Sequence, residues 1–183
     1  KFSIDVYVTA GCLRSKKADG KVFPCHIIDS HSAFKIGDIN VTPVPVPHDA
    51  REPVQFLFNS DQHQFGILTD VGSLTPHIES LYGQCDGLLI EANHDLDMLY
   101  AGSYPEFLKE RVAGRWGHLN NQQTADLLSL IDQQRMQQLV IGHISEKNNS
   151  LEKVKSAVEG VIDDCGQLHY ACQQQGFDWL ELN

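Results

Sequence analysis

The chain opens on Phe2-Ser3-Ile4-Asp5-Val6-Tyr7-Val8-Thr9, where apolar and polar positions alternate and β-branched and aromatic residues are dense. A period of two with that composition predicts a β-strand. Lys16 to Lys21 is mostly polar around Gly20 and predicts a surface loop. Cys25 to Ile28 predicts a short strand, and residues 33–44 a hairpin turning at Gly37-Asp38. Pro43, Pro45 and Pro47 then fall at alternate positions. Proline has no N–H for a ladder, so this stretch reads as an edge strand or an extended segment.

Val54–Phe58 and Gln64–Thr69 form a second strand pair around a polar turn. Gly87–Glu91 and Gln138–Ile141 are short, continuously apolar runs, the pattern of buried strands. Helical patterns occupy Pro76–Tyr82, Asp97–Tyr100, Pro105–Val112, Asn121–Arg135 and Leu151–Gly160, and Leu127, Leu128 and Ile131 share one face. Leu168–Cys172 and Asp178–Leu182 read as closing strands. There is no repeat, low-complexity tract or linker. The pattern predicts one α/β domain over residues 1–183, a sheet with flanking helices.

Composition narrows the function classes. The net charge of −10 argues against a nucleic-acid coat or scaffold, which needs a broad basic face. It leaves a phosphodiester substrate open, because bound divalent metals can dominate a local field. No apolar stretch approaches the roughly 20 residues of a membrane span. No secretory signal is visible in a chain that starts at Lys1. The five cysteines, odd in number and without a CxxC pair, read as reduced thiols of a cytoplasmic protein rather than a structural zinc site.

Three polar residues share one placement. His48 follows Val44-Pro45-Val46-Pro47, Asp70 follows Gly66-Ile67-Leu68-Thr69, and His143 follows Leu139-Val140-Ile141-Gly142. Strand ends are rigid points from which side chains converge. Two imidazoles and a carboxylate suit zinc or a similar first-row divalent ion. Asp70, with two oxygens, is able to bridge two metals about 3.5–4 Å apart that activate a shared water. Taken singly, each of the three reads equally as a cap or turn former.

The surrounding strings resolve that choice. Pro47-His48-Asp49-Ala50-Arg51-Glu52-Pro53, Leu68-Thr69-Asp70-Val71-Gly72, Glu91-Ala92-Asn93-His94-Asp95, Gly117-His118-Leu119-Asn120-Asn121 and Ile141-Gly142-His143-Ile144-Ser145-Glu146-Lys147-Asn148-Asn149 occur in this order. In order and spacing they resemble motifs of the metallo-β-lactamase superfamily, in its nuclease-related YycJ/WalJ-like branch. The resemblance implies a metallo-β-lactamase-like αββα sandwich. It also implies a two-metal site with His48, Asp70 and His143 as ligands, holding zinc, or manganese or iron. One departure stands out: the superfamily's His-x-His-x-Asp-His motif is absent. In the family it lies upstream of a strand that looks like Phe2–Thr9, so the resemblance implies that the N-terminal part of the fold is missing. Three ligands divided between two sites should bind metal poorly and leave such a fragment inactive.

Glu91 and His118 form a second constellation. A carboxylate beside an imidazole raises the ring's pKa and keeps a proton available for a leaving oxygen. A similar pair acts near the scissile phosphate in the transfer-RNA 3′-processing nucleases, which this part of the chain resembles. His118 otherwise reads as a helix cap. His94, Arg115, Ser145 and Asn148 are candidate substrate contacts. Asp95 is a further groove or supporting residue, and Ser145, Asn148 and Asn149 read equally as caps for the helix near Leu151. Arg111, Arg115 and Trp116 offer a phosphate fork and a stacking ring, or a solvated helix end.

The leading expectation is a metal-dependent phosphodiesterase acting on DNA or RNA, with Asp70, Glu91 and His118 catalytic. A small-molecule ester, thioester or lactone hydrolase and a catalytically incomplete binding module remain as alternatives.

Overall fold

The computed structural model describes residues 4–15, 24–60, 62–163, 165–176 and 178–183. β1 (Val6–Thr9) and β2 (Cys25–Ile28) pair in parallel as a two-stranded sheet, and α1 (Ala10–Ser15) follows β1 directly. The main sheet has seven strands in chain order. These are β3 (Phe34–Ile36), β4 (Ile39–Pro45), β5 (Val54–Asn59), β6 (Gln64–Leu68), β7 (Gly87–Glu91), β8 (Gln138–Gly142) and β9 (Gln167–Tyr170). From β3 to β6 neighbours run antiparallel through short turns. From β6 to β9 they run parallel.

A parallel step requires a crossover connection, and each one here carries helix. α2 (Pro76–Tyr82) links β6 to β7. α3 (Leu96–Ala101), α4 (Glu106–Ala113) and α5 (Asn121–Leu128) link β7 to β8, and α6 (Leu151–Val158) links β8 to β9. Among the described residues no helix is long and apolar enough to cross a membrane.

The alternation along each strand sets the layers. Leu57, Leu68, Leu88, Ile90, Leu139 and Ile141 join a buried cluster with Ile78 and Tyr82 of α2, Leu127 and Leu128 of α5, and Val154 and Val158 of α6. Each such aliphatic side chain contributes roughly 1.5–3 kcal/mol when removed from water. The intervening positions Phe56, Phe58, Phe65, Ile67 and Leu89 are only half-buried. Residues 178–182 lie along part of that second face, leaving a groove of 570 Å³ lined by Phe65, Leu89, Val140, Trp179 and Leu182.

Several sequence expectations change. α1 carries no helical signal strong enough to be predicted. The helix expected over Asn121–Arg135 stops at Leu128: the N–H of Asp132 goes to the Gly83 carbonyl instead, and Gln133 Nε2 donates to the freed Leu128 carbonyl at 2.9 Å. Residues 178–182 form no strand. Their segment is held instead by the side chains of Gln137 and Gln138, which donate to the Asn183 and Glu181 carbonyls. Phe2, Ser3 and the loop expected at Lys16 to Lys21 lie outside the described residues. The proline reading survives in an unexpected way. β4 is second in the sheet, but β3 pairs only with Ile39–Val41, so Pro43 and Pro45 have β5 alone as a ladder partner among the described residues.

Candidate metal centre

Leu68, Ile90 and Ile141 are in register across β6, β7 and β8. The carboxyl ends of the three strands therefore open at one edge, where α/β sheets form their crevices. Asp70, Glu91 and His143 stand at those three ends.

Glu91 is fully buried, and its carboxylate is the hub. Oε1 accepts from the backbone N–H of Val71 at 2.9 Å and of Leu119 at 3.0 Å. Oε2 accepts from the Asp70 N–H at 3.1 Å and lies 3.1 Å from His118 Nδ1 and 2.9 Å from His143 Nδ1. An ionised carboxylate can only accept, so both Nδ1 atoms carry the hydrogen and both Nε2 atoms are left free. Burial pushes the Glu91 pKa up, but the bonds from His118, His143, Leu119 and Val71 outweigh it and bring the group down to about 2. The His143 pKa is raised, chiefly by its hydrogen bond to Glu91.

Asp70 sits among three rings. Its Oδ1 is 3.6 Å from His118 Nδ1, 3.8 Å from His143 Nδ1 and 4.0 Å from His48 Nε2. These separations exceed direct hydrogen bonds. His48 Nδ1 lies 3.0 Å from the Gly117 carbonyl, which makes it the donor and leaves Nε2 facing Asp70. Asp70 (φ 55°) and His143 (φ 53°) are the only non-glycine residues with left-handed backbone among those described. Each such residue costs of order 1 kcal/mol or more, and such strain collects at functional sites.

The donor set fits a divalent cation. One ligand atom each from Asp70, Glu91, His118 and His143 lie within 4.8 Å of one another, and His48 joins them through Asp70. Imidazole nitrogen with carboxylate oxygen suits zinc and its neighbours. Glu91, with both oxygens already taken up by N–H groups, orients ligands rather than serving as one. His48, Asp70 and His143, expected from sequence as the ligands, are thus brought together, and His118 stands beside them.

Three loops are pinned to each other here. The Gly72 N–H donates to the Pro47 carbonyl at 2.7 Å, and Ser73 Oγ donates to the Arg115 carbonyl at 3.2 Å. A Cβ on Gly72 would lie 2.4 Å from Gly117 N and 2.6 Å from the Arg115 carbonyl carbon, so only glycine allows this approach. No motif in the sequence marks this contact. Beside it, Arg111 on α4 forms a direct ion pair with Asp49, which lies 3.6 Å from His48. The hydrogen bond from Arg111 holds the Asp49 carboxyl below its ordinary range. A 180 Å³ pocket lined by His48, Asp49, Arg111, Gly117 and His118 opens at this point.

Four candidate substrate contacts separate into two kinds. Arg115 is exposed at the rim, its guanidinium 5.6 Å from the Trp116 ring. His94 and Asn148 depart from the expectation, because both are buried and present no surface to a substrate. Among the described residues, neither ring nitrogen of His94 has a hydrogen-bond partner. Burial, then the neighbouring His118, push its pKa down to about 4. Asn148 accepts from the Asp95 N–H through its carbonyl, and Ser145 Oγ accepts from the Asn148 N–H, so this pair shapes the turn after β8. Asp95 caps α3 through Met98 N, and Ser150, rather than Asn148 or Asn149, caps α6. Asn149 bridges the Ala92 carbonyl and Asn121.

Residues 3–144 match the pattern of the beta-lactamase superfamily domain. The chain is 34% identical over 157 residues to the exodeoxyribonuclease WalJ of Streptococcus pneumoniae serotype 2, covering 83% of this chain and 58% of that protein. It is 28% identical over 130 residues to the exodeoxyribonuclease YycJ of Bacillus anthracis, covering 71% of this chain and 49% of the relative. The chain thus spans about half to three-fifths of the length of these curated relatives. Among solved structures, the metallo-beta-lactamase fold protein YhfI from Bacillus subtilis superposes with a TM-score of 0.66 at 12% identity. That match covers 91% of this chain and 61% of YhfI, and shows the shared fold.

Proposed function

The chain belongs to the beta-lactamase superfamily, and from that membership we propose that it is the metal-binding core of a nuclease-type phosphodiesterase. The observation that carries the reading is the Glu91 hub, which holds two imidazoles by Nδ1 and turns their Nε2 atoms outward. Divalent cations held by His48, Asp70 and His143 would supply an ionised water at neutral pH and offset the charge of a phosphodiester.

The chain's own side chains account for the rest of the reaction. Glu91 is ionised at neutral pH, so it keeps both rings in one tautomer and one orientation. His118 Nε2, free of Glu91, donates its proton to the leaving oxygen when the ring is cationic. Asp70 lies within 4.0 Å of three rings, and its negative charge adds to the upward shift that Glu91 gives the His143 pKa. The names of the two curated relatives support a DNA strand as the substrate.

The test is His118→Ala in the protein expressed at its full natural length. Metal content is measured alongside cleavage of a labelled oligonucleotide and of a panel of small esters and lactones. The wild type should cleave the oligonucleotide, and the variant should keep its metal and lose most turnover. Unchanged turnover would remove His118 as the acid. Cleavage of the esters with the oligonucleotide untouched would replace the phosphodiesterase reading.

A further inference from the structure

α4 is a helix that the core does not use: none of its residues is buried, and its N-cap makes no side-chain hydrogen bond. Phe107 on α4 is 71% exposed, Trp116 just beyond it is 54% exposed, and Tyr100 at the end of α3 is 51% exposed. Large apolar side chains scattered singly mean little, but these three sit on one connection between β7 and the candidate metal centre.

Cations accompany the rings. Arg115 lies over Trp116 at 5.6 Å, and Lys147, from the loop after His143, lies over the Tyr104 ring at 5.8 Å. Acidic groups on α4 do not cancel these two. Glu106 is met by Lys109 at 3.8 Å, and Arg111 is met by Asp49, so among the described residues Glu110 is the α4 carboxylate with no ion pair. The ridge is anchored to the site, since the Gly72 approach and the Ser73 bond fix the backbone of Arg115 while its side chain stays exposed.

The geometry points to the α3–α4 ridge as a binding surface for an unpaired nucleic-acid strand, with bases stacked on Trp116 and Phe107 and phosphates beside Arg115 and Lys147. Exposed rings interleaved with cations are how single strands are held without sequence preference, and paired bases have no free faces to offer. The inference rests on the phosphodiesterase reading only for the identity of the polymer.

The experiment uses a 12-residue oligothymidylate, alone and in duplex with its complement, titrated into the chain and followed by fluorescence anisotropy. The protein has two tryptophans, so Trp179→Phe leaves Trp116 as the sole emitter. The single strand should quench that emission and bind more tightly than the duplex. Trp116→Ala and Phe107→Ala should each weaken binding about tenfold, the usual scale for one stacked base. Leu130→Ala, exposed beyond the far end of α5, should not. Absence of quenching, equal affinity for duplex, or variants that bind like the wild type would overturn the ridge. Oligonucleotide cleavage is scored separately: cleavage with unaltered variants sinks the ridge alone, while strand binding by a metal-loaded protein that cleaves nothing sinks the phosphodiesterase alone.

Discussion

Glu91→Gln is the sharpest perturbation of this site, because it keeps the shape and removes the charge. In the wild type the carboxylate accepts two backbone N–H groups on Oε1, and on Oε2 it meets a third together with two imidazole Nδ1 atoms. Glutamine can keep its oxygen toward Val71 and Leu119. Its NH2 group then faces three donors. Displacing the carboxyl from its ordinary 4.5 to about 2 corresponds to about 3 kcal/mol in favour of the ionised, folded form. The buried donors left without an acceptor cost about 1–3 kcal/mol each unless the rings change tautomer. The variant should therefore lose at least about 3 kcal/mol at pH 7. The sign with pH follows from the depressed folded-state value. The Glu91 contribution is complete above 4.5 and is lost as pH falls toward about 2, so wild type and variant should converge across that window. Urea unfolding followed by circular dichroism at pH 7, 5 and 3 measures this. The His143 pKa, read from its ring protons by NMR, should fall in the variant, since its hydrogen bond to Glu91 is the chief cause of its elevation. A stability loss under about 1 kcal/mol at pH 7, or a loss that does not change with pH, refutes the hub.

Three further substitutions probe the surroundings. His94, faced by His118, Glu91 and Asp95, is folded in neutral form with its pKa lowered from 6.5 to about 4. Its contribution is complete above 6.5 and is lost as pH falls from 6.5 to about 4, which amounts to about 3 kcal/mol. His94→Phe should abolish that part of the pH dependence and be neutral or stabilising at pH 7, because neither ring nitrogen has a partner to lose; a loss above about 2 kcal/mol at pH 7 would mean the imidazole is bonded after all. Gly72→Ala should force the 114–117 loop away by placing a Cβ 2.4 Å from Gly117 N, costing about 1–3 kcal/mol in thermal unfolding. Gly37→Ala, which meets nothing within 4 Å but sits at φ 58°, should cost only about 1 kcal/mol for its backbone; equal losses at the two positions would deny the tight contact.

The positions of Asp70, Glu91 and His143 were legible because apolar runs end visibly. Leu68 before Thr69-Asp70, Ile90 before Glu91 and Ile141 before Gly142-His143 each mark a buried strand whose following polar residues lie at its mouth. What those residues do to each other was not legible, since it depends on register between strands far apart in the chain. The same limit explains the misreadings. Asn93-His94-Asp95 is a polar string, yet a bridge between His94 and Asn120 draws His94 inside. The helix after Asn121 has apolar periodicity past Leu128, but the Asp132 N–H has a partner at Gly83 that periodicity cannot reveal. Residues 178–182 alternate like a strand and still join no ladder, because neighbours decide pairing and alternation does not.

The strain and the hub are one device. Asp70 and His143 are left-handed at the ends of β6 and β8, the two neighbours of β7. Glu91 ends β7 and reaches both, taking the Asp70 N–H and the His143 ring on the same oxygen. Its backbone carbonyl is in turn held by Thr124 Oγ1 of α5 at 2.7 Å. An unfavourable backbone conformation persists only when its surroundings over-determine it. Here one buried anion, fixed from behind by a helix, constrains both residues at once. The two turns are therefore held through one carboxylate, and the ring nitrogens it leaves free are positioned by the fold itself.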